Sequence, residues 1–545
     1  MSDQNRLLLA AALMAVVLFV SWQFMGKQGT GTQEAGEQVY VGSELNAEQQ
    51  VPDTGTNVET NGMTGVDTNA TTSSQIDTTD SHSGTMHAST ESTGFSGRTI
   101  TVIIMDEGKP VVTASISTSS GSIEEWYLEE YQAMPGTDHG GRVNLGEQRF
   151  MELGWGYETG SQDTVIVEEG PENVVLQSES GGRTVSYTFY PGFYGFGMEM
   201  LGFDGVTVLN GGVLPVSETG VSEGSYFEAQ WNAEKLRSRD SEDIEISDQA
   251  GNVEWIAARS KYFAVIMMPR SYERAYGFIY ATGGTDSPSV GLQDRNILVY
   301  AGPLDYGELR ELGSDTHLMV DFGWPVIRDI GRLLFWFCTS VLSFAGNWGV
   351  KIIILSVALK LAMLPLTTRS FRSMAKLKQV QPRMKELQEK HRKDPKALQA
   401  AMQKLYREEG VNPLGGCLPL LLQMPVFFAL YRVLANSVQL RGAEFVLWMR
   451  DLSTPEILIP FGSPVLGLEG IGLLAVLMGV TMFVQQKMTT ADQSQKGMTY
   501  IMPIFMTYLF MRFPAGLTLY WFVNNLLTIG HQQMINRKLQ EENRS

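Results

Sequence analysis

The sequence predicts an α-helical polytopic membrane protein with six transmembrane helices, joined to an all-β sandwich domain held outside the cytoplasm. Three observations carry that reading. Apolar runs near the length a helix needs to cross hydrocarbon lie at residues 7–25, 350–367, 418–434, 471–484, 498–513 and 515–530. Between the first two, residues 96–320 read as short alternating strands. The charge divides at the same place, because the net −18 of the 545-residue chain is −29 over residues 1–320 and +11 over residues 321–545. An evenly acidic chain would repel nucleic acid and anionic lipid; this one keeps its cations in the apolar half, and DNA is not an expected partner. Cys338 and Cys417 are the only cysteines, and no Cys/His cluster has ligand spacing, so no disulfide scaffold, metal or cofactor is expected.

Residues 1–26 form the expected N-terminal transmembrane anchor. Its apolar run follows Arg6 and continues into Trp22, Gln23 and Phe24, where a cleaved secretory signal would carry small residues. An uncleaved anchor with a cytoplasmic N-terminus fits best, and a cleaved signal with a late site at Gly29-Thr30-Gly31 stays open. Residues 27–95 are rich in Gly, Ser, Thr, Asn, Asp and Glu and bury too little apolar surface to order themselves, so they read as a disordered tether. In residues 96–320, runs such as Arg183-Thr184-Val185-Ser186-Tyr187-Thr188-Phe189-Tyr190 and Lys261-Tyr262-Phe263-Ala264-Val265-Ile266, punctuated by Gly and Pro, predict an antiparallel sandwich. Residues 321–347 hold a further apolar stretch after Trp324-Pro325, with Arg328, Asp329 and Arg332 on one face, which suits a helix lying in the membrane interface.

Parity decides whether that stretch spans. If it lies flat, the second span (residues 348–369) leads into a cytoplasmic loop, residues 368–416, carrying twelve Lys and Arg against five acids, and the positive-inside rule holds. It holds again at Lys487 and Lys496 and at Arg537 and Lys538 in the cytoplasmic tail, residues 536–545. Were the stretch to span, every assignment would invert. The basic loop, residues 370–411, reads as a helical hairpin with a seam of Phe371, Met374, Leu377, Val380, Met384 and Leu387. Pro382 marks a kink or a fresh start, and Asp394, Pro395 and Gly410 delimit a second arm with Leu398, Met402 and Leu405 as its stripe. Arg372, Lys376, Lys378, Arg383, Lys385, Lys390, Arg392 and Lys393 give it a cationic exterior, able to meet a ribosome, a nascent chain or lipid headgroups, or only to set topology.

Spans three to six occupy residues 412–535. Lys360 lies inside the second span, where an ammonium costs on the order of 3 kcal/mol on insertion scales and faces water or a partner unless it snorkels to the headgroups. Gln423, Gln485, Gln486, Asn524 and Asn525 place amides in other spans, where they line a wet cavity with Lys360 or bond across a packed bundle. No span carries Asp or Glu, which weakens an ion-coupled transporter. The fourth span is 14 residues, about 21 Å long against hydrocarbon near 30 Å, which thins the bilayer locally unless flanking residues extend the helix. Gly220-Val221-Ser222-Glu223-Gly224 and Ser373-Met374-Ala375-Lys376 spell nucleophile motifs without the context or partners that hydrolases need.

The run Asn412-Pro413-Leu414-Gly415-Gly416-Cys417-Leu418-Pro419-Leu420-Leu421-Leu422-Gln423-Met424-Pro425-Val426-Phe427-Phe428-Ala429-Leu430-Tyr431 resembles the start of the third span in YidC-type membrane protein insertases. Phe513-Pro514-Ala515-Gly516-Leu517-Thr518-Leu519-Tyr520-Trp521 with Asn524-Asn525, and Gly479-Val480-Thr481-Met482-Phe483 before Gln486-Lys487-Met488, resemble the same family, over roughly residues 321–535. The β region is similar to its Gram-negative periplasmic β-supersandwich mainly by position and by Ser260-Lys261-Tyr262-Phe263-Ala264. The resemblance implies an insertase and chaperone of the bacterial inner membrane that uses no ATP, is not an enzyme, and acts on nascent membrane proteins alone or beside the Sec translocon, among membrane lipids. It implies a five-helix insertase core around a hydrophilic groove, whose buried cation attracts acidic substrate tails. That cation falls at Lys360, where the usual bacterial residue is Arg; Lys keeps the charge and loses the bidentate fork. Gln423 and Trp521 fall at groove-lining positions, and Ser356, Gln486, Tyr520 and Asn524 complete the candidate groove. A small-solute channel or transporter, and a membrane-anchored periplasmic enzyme using the β domain, are the competing readings.

Overall fold

A computed structural model of the chain describes residues 87–542 apart from 94–96, 118–122, 133–141, 146–151, 154–164, 171, 181, 203–208, 211–226, 241–243, 245–246, 282–287, 392–393, 411–417 and 490–495. The expected anchor, most of the expected tether and the 220–224 string lie outside the described residues.

The β region is antiparallel in every strand pair described. A five-stranded sheet runs His87–Thr93, Gly97–Asp106, Lys109–Ser117, Ile123–Gln132 and Arg142–Asn144 in that order. Its first strand falls inside the stretch read as tether, paired from His87↔Ile103 to Thr93↔Gly97. That pairing uses main-chain groups, to which a composition argument is blind. A nine-stranded sheet has the order Leu236–Asp240, Glu228–Asn232, Trp255–Arg259, Phe263–Pro269, Asn296–Pro303, Gly195–Leu201, Arg183–Phe189, Val174–Ser180 and Val165–Glu169. Arg183–Phe189, third from one edge, alternates buried and half-exposed residues, as a strand with one covered face should. Trp255–Arg259, third from the other edge, is buried throughout, because a three-stranded sheet of Ser247–Val253, Ala275–Ala281 and Pro288–Gln293 covers its other face. Gly277 allows that approach: a Cβ there would lie 3.2 Å from Ile256 Cδ1.

Trp126 joins the two large sheets. Its ring is fully buried, 5.5 Å from Phe196 and 6.5 Å from Phe189. The indole N–H donates to the Ala301 carbonyl at 2.9 Å, so the largest apolar side chain in the core also has its polar atom satisfied.

Helix α1 (Tyr306–Leu312) follows, capped by the Asp305 carboxylate on the N–H groups of Gly307 and Glu308. Helix α2 (Pro325–Trp336) has Pro at its first position, buries Ile327, Gly331, Leu334 and Phe335, and exposes Val326, Leu333 and Trp336. Helix α3 (Trp348–Lys390) is continuous for 43 residues, about 65 Å, through both Pro365 and Pro382. Of the kink or fresh start expected at Pro382, the unbroken helix makes no fresh start, and the expected passage from second span to hairpin at residues 369/370 falls within one helix. A lone proline removes one hydrogen bond, and near Pro365 the Thr367 and Thr368 hydroxyls bond the Met363 and Leu364 carbonyls, so the flanking turns carry the helix past it. Helix α4 (Pro395–Glu408), capped by Asp394 and followed by Gly410 in the left-handed region, folds back along α3. Val380 and Leu405 form the seam with Leu377, Met384 and Leu387. Phe371, assigned to that seam from its spacing, instead packs against His531, with centroids 5.3 Å apart.

Helices α5 (Leu418–Asn436), α6 (Leu473–Thr489), α7 (Lys496–Phe510) and α8 (Ala515–Glu542) complete the bundle. Among the described residues α3 is long and apolar enough to cross a membrane, and Leu473–Met488 and Thr499–Phe510 are shorter apolar segments. The 17 residues of α6 give about 25 Å, and the 15 of α7 about 22 Å. The short fourth run is extended past 484 to Thr489 but not by Gly467 and Leu468, the flanking residues expected to lengthen it, which lie outside the helix. Gly479 sets the distance between these two helices, since a Cβ there would lie 1.9 Å from Thr507 Oγ1. Gly479→Ala is expected to lower stability by about 1–3 kcal/mol as the helices part. Thermal unfolding of the full chain in detergent checks this, and adding Thr507→Ala should restore most of the loss.

The loop between α5 and α6 holds a two-stranded hairpin, Ile459–Val465 with Leu468–Ile471, that no sequence pattern had indicated. Glu456 beside it accepts from the Leu473 and Leu474 N–H groups and so caps α6. The β region and the bundle are tied together at the end of α5: Val433 and Val438 join the β core, Arg432 pairs with Asp321 at 2.8 Å, and Gln439 donates to the Asp305 carboxylate.

Candidate functional site

Helices α3 and α8 pack against one another, and the face of α3 turned inward is polar. Ser356, Lys360, Thr367 and Ser370 are all buried, at positions i, i+4, i+11 and i+14, which a 3.6-residue repeat brings into one stripe. On α8, Tyr520, Asn524 and Thr528 follow at single-turn spacing, and Asn525 and Gln532 are buried beside them. Apolar spans would give two oily faces here; this sequence gives two polar ones, joined by the Lys360–Thr528 and Thr368–His531 hydrogen bonds.

Lys360 lies between them, 9% exposed. Its Nζ donates to Thr528 Oγ1 at 2.6 Å, and that hydroxyl donates onward to the Asn524 carbonyl at 2.6 Å. The Phe371 ring centroid is 6.0 Å from Nζ, close enough for a weak cation–π attraction. Behind that ring, His531 Nε2 bonds Thr368 Oγ1 at 3.1 Å. Among the described residues no carboxylate comes within ion-pair distance of Lys360. An ammonium has three N–H donors, and the protein takes one of them with a neutral hydroxyl. The charge is held in place without being neutralised.

The other candidates sort around this centre. Ser356, one turn from Lys360, donates to its own helix at the Ile352 carbonyl, 2.7 Å away, and does not touch the ammonium. Asn524 contributes through its main-chain carbonyl. Gln423 on α5 donates to the buried Tyr520 hydroxyl, two turns or about 12 Å of rise along α8 from Thr528. Trp521 stands edge-on to Phe427 at 5.2 Å and tilted on Phe510 at 5.2 Å, so it belongs to an aromatic cluster with α5 and α7. Gln486 lies half-buried on α6 and makes no contact with Lys360. The structure therefore brings Lys360 together with Thr528 and His531, which the sequence reading omits, and with Phe371, which it assigns to the hairpin seam, rather than with the spans' amides. Thr528 had a signal, its spacing of four from Asn524. His531 falls one residue past the sixth apolar run, which ends at 530.

In the hairpin, Arg372, Lys376, Arg383, Lys385 and Lys390 are exposed. Arg383 pairs with Glu409 across it. Lys378 turns inward and donates to the Met488 carbonyl at the end of α6, which removes it from the cationic exterior. Arg392 and Lys393 lie outside the described residues.

The helical half matches the family model described as 60Kd inner membrane protein over residues 340–542. The chain is 36% identical over 402 residues to the membrane protein insertase YidC of Cupriavidus taiwanensis, covering 67% of this chain and 68% of that one. Against the YidC of Wolinella succinogenes it is 32% identical over 393 residues, covering 70% of each. Against that of Alkalilimnicola ehrlichii it is 40% identical over 330 residues, 58% of this chain and 56% of the relative. Two of these likenesses reach beyond two thirds of the relative and across both the β region and the bundle, so the chain belongs to the YidC family: it is an inner membrane protein and a membrane protein insertase.

Proposed function

We propose that nascent membrane proteins pass along the polar face between α3 and α8, with Lys360 drawing an acidic segment part-way into the bilayer. The observation that carries this is the state of the ammonium: nine-tenths buried, held by the Thr528 hydroxyl, and without a carboxylate partner among the described residues. A buried cation that already had its acid would offer a substrate nothing; this one keeps donors free for an incoming carboxylate. Thr528, Asn524, Tyr520 and Gln423 then supply a ladder of groups along which a polar segment exchanges hydrogen bonds instead of entering hydrocarbon bare. No bond is made or broken, and release into lipid follows from apolar contact with the thin spans.

In this reading the chain crosses the membrane six times with both termini cytoplasmic. The acidic β domain stands in the periplasm, α2 lies in the outer interface, and the α3/α4 hairpin reaches into the cytoplasm. The exposed Arg372, Lys376, Lys385 and Lys390 suit contact with a ribosome, a nascent chain or anionic headgroups, and a Sec translocon is a partner for larger clients. Photocrosslinkers at Gln423 and at Trp521 in the full chain test the path. Adducts with a stalled nascent membrane protein are the expected result. Adducts confined to the chain's own helices while that client still inserts would overturn it.

A further inference from the structure

The hairpin of Ile459–Val465 and Leu468–Ile471 is built in a way that water does not favour. Its 13 residues carry a single charge, Glu469, and expose Ile459, Val465 and Leu466, the last at 80%. Natural edge strands facing water carry lysines, prolines or inward charges; this hairpin has Pro460 and Pro464 but neither a lysine nor an inward charge, and a lone two-stranded ribbon is marginal in water. The two-residue turn between Val465 and Leu468 has φ of +53° at Leu466 and +72° at Gly467. Asn, Asp or Gly normally takes the first of these positions; a leucine there puts its whole side chain at the tip in a conformation it disfavours.

This tip is fixed to the end of α7. The Leu466 carbonyl accepts from the Tyr508 hydroxyl at 2.8 Å and from Arg512 Nη2 at 2.9 Å. Gly467 leaves room for the guanidinium, since a Cβ there would lie 2.4 Å from Arg512 Nη2. Along α7, Ile501, Ile504 and Phe505 are exposed, and with Tyr508 they make an i, i+3, i+4, i+7 stripe that leads to the hairpin. The apolar surface of a helix about 22 Å long is thus followed by the hairpin, with the Arg512 guanidinium at the junction, at the end where the helix stops short of a hydrocarbon layer about 30 Å thick.

We propose that this hairpin is a lipid-facing wedge, seated in the outer interface of the bilayer with Leu466 among the upper acyl chains, where it covers the hydrocarbon that α7 is too short to reach. The inference rests on α7 spanning the membrane, and its occupant is lipid rather than a protein partner. Continuity with the exposed α7 stripe and the near absence of charge argue for lipid.

The test uses the full chain with Cys338→Ala and Cys417→Ala, reconstituted in phosphatidylethanolamine/phosphatidylglycerol vesicles, with an environment-sensitive fluorophore on Leu466→Cys. Blue-shifted emission, quenched by lipids bearing a nitroxide near the headgroup and shielded from aqueous iodide, is expected. Val465→Cys gives a second position should the first disturb folding, and Tyr272→Cys, 72% exposed in the β domain, should answer to iodide alone. Quenching of Leu466 by iodide only would overturn the proposal, as would quenching by neither agent, the sign of a protein cover. Ile504→Cys, 72% exposed on α7, separates the two layers of inference. If lipid nitroxides quench it while Leu466 stays in water, the wedge alone fails; if they do not, the spanning role of α7 fails with it.

Discussion

Lys360→Glu is expected to abolish insertion of clients with acidic translocated segments and to fail to support growth when the native protein is depleted. The variant keeps a hydrogen-bond partner, because the Thr528 hydroxyl can turn its one proton from the Asn524 carbonyl to a carboxylate. Folding should survive, and what changes is the sign of a charge in a low-dielectric setting. Unit charges about 4 Å apart at an effective dielectric constant near 20 interact by about 4 kcal/mol, so exchanging attraction for repulsion comfortably exceeds the roughly 1.4 kcal/mol that slows a step tenfold. Lys360→Ala should lie between, losing the attraction without adding repulsion, and Lys360→Arg should retain activity. Thr528→Val removes the hydroxyl that holds the ammonium between the helices, and its loss should be smaller than that of Lys360→Ala. Insertion of a client with an acidic tail, measured by protease protection, ranks the four. Full growth and insertion with Lys360→Glu would remove charge from the mechanism.

Trp126→Ala is expected to destabilise the β domain by about 3–5 kcal/mol, the range for emptying a large aromatic site in a core. The ring is fully buried between two sheets, so the cavity cannot close without moving strands of both. The Ala301 carbonyl also loses its donor in a place water does not reach. Trp126→Phe should recover most of the packing and leave the carbonyl unpaired, for a loss of about 1–3 kcal/mol. Denaturant midpoints of the full chain, followed by near-ultraviolet circular dichroism, measure both. Equal midpoints for the alanine and phenylalanine variants would assign the whole effect to the hydrogen bond.

The two largest effects fall on opposite kinds of residue, and they were not equally legible. Lys360 stood out because a charge within an apolar run is anomalous one residue at a time. Trp126 did not, since a tryptophan in a β-rich stretch has no local mark of bridging two sheets. The same contrast runs through the rest of the molecule. Asp394, Pro395 and Gly410 announced α4 because caps act within a turn, whereas Pro382 makes no fresh start because a proline's local preference yields when the turns on both sides hold. The first strand was hidden in a tether-like composition because a ladder can bind a segment by its main chain alone. The hairpin of Ile459–Val465 and Leu468–Ile471 left no mark in the sequence for the same reason.

By itself the sequence determined the division into a β half and a helical half, the separation of charge between them and the presence of Lys360 in the middle of an apolar segment. Those are properties of composition and period, and each residue contributes to them independently of what it touches. Only the tertiary structure decided what surrounds the cation. Thr528 is 168 positions from Lys360, and nothing local to either residue records that α3 and α8 meet there. Which polar groups face each other is settled when helices pack, because a buried donor must find an acceptor wherever the fold has placed one.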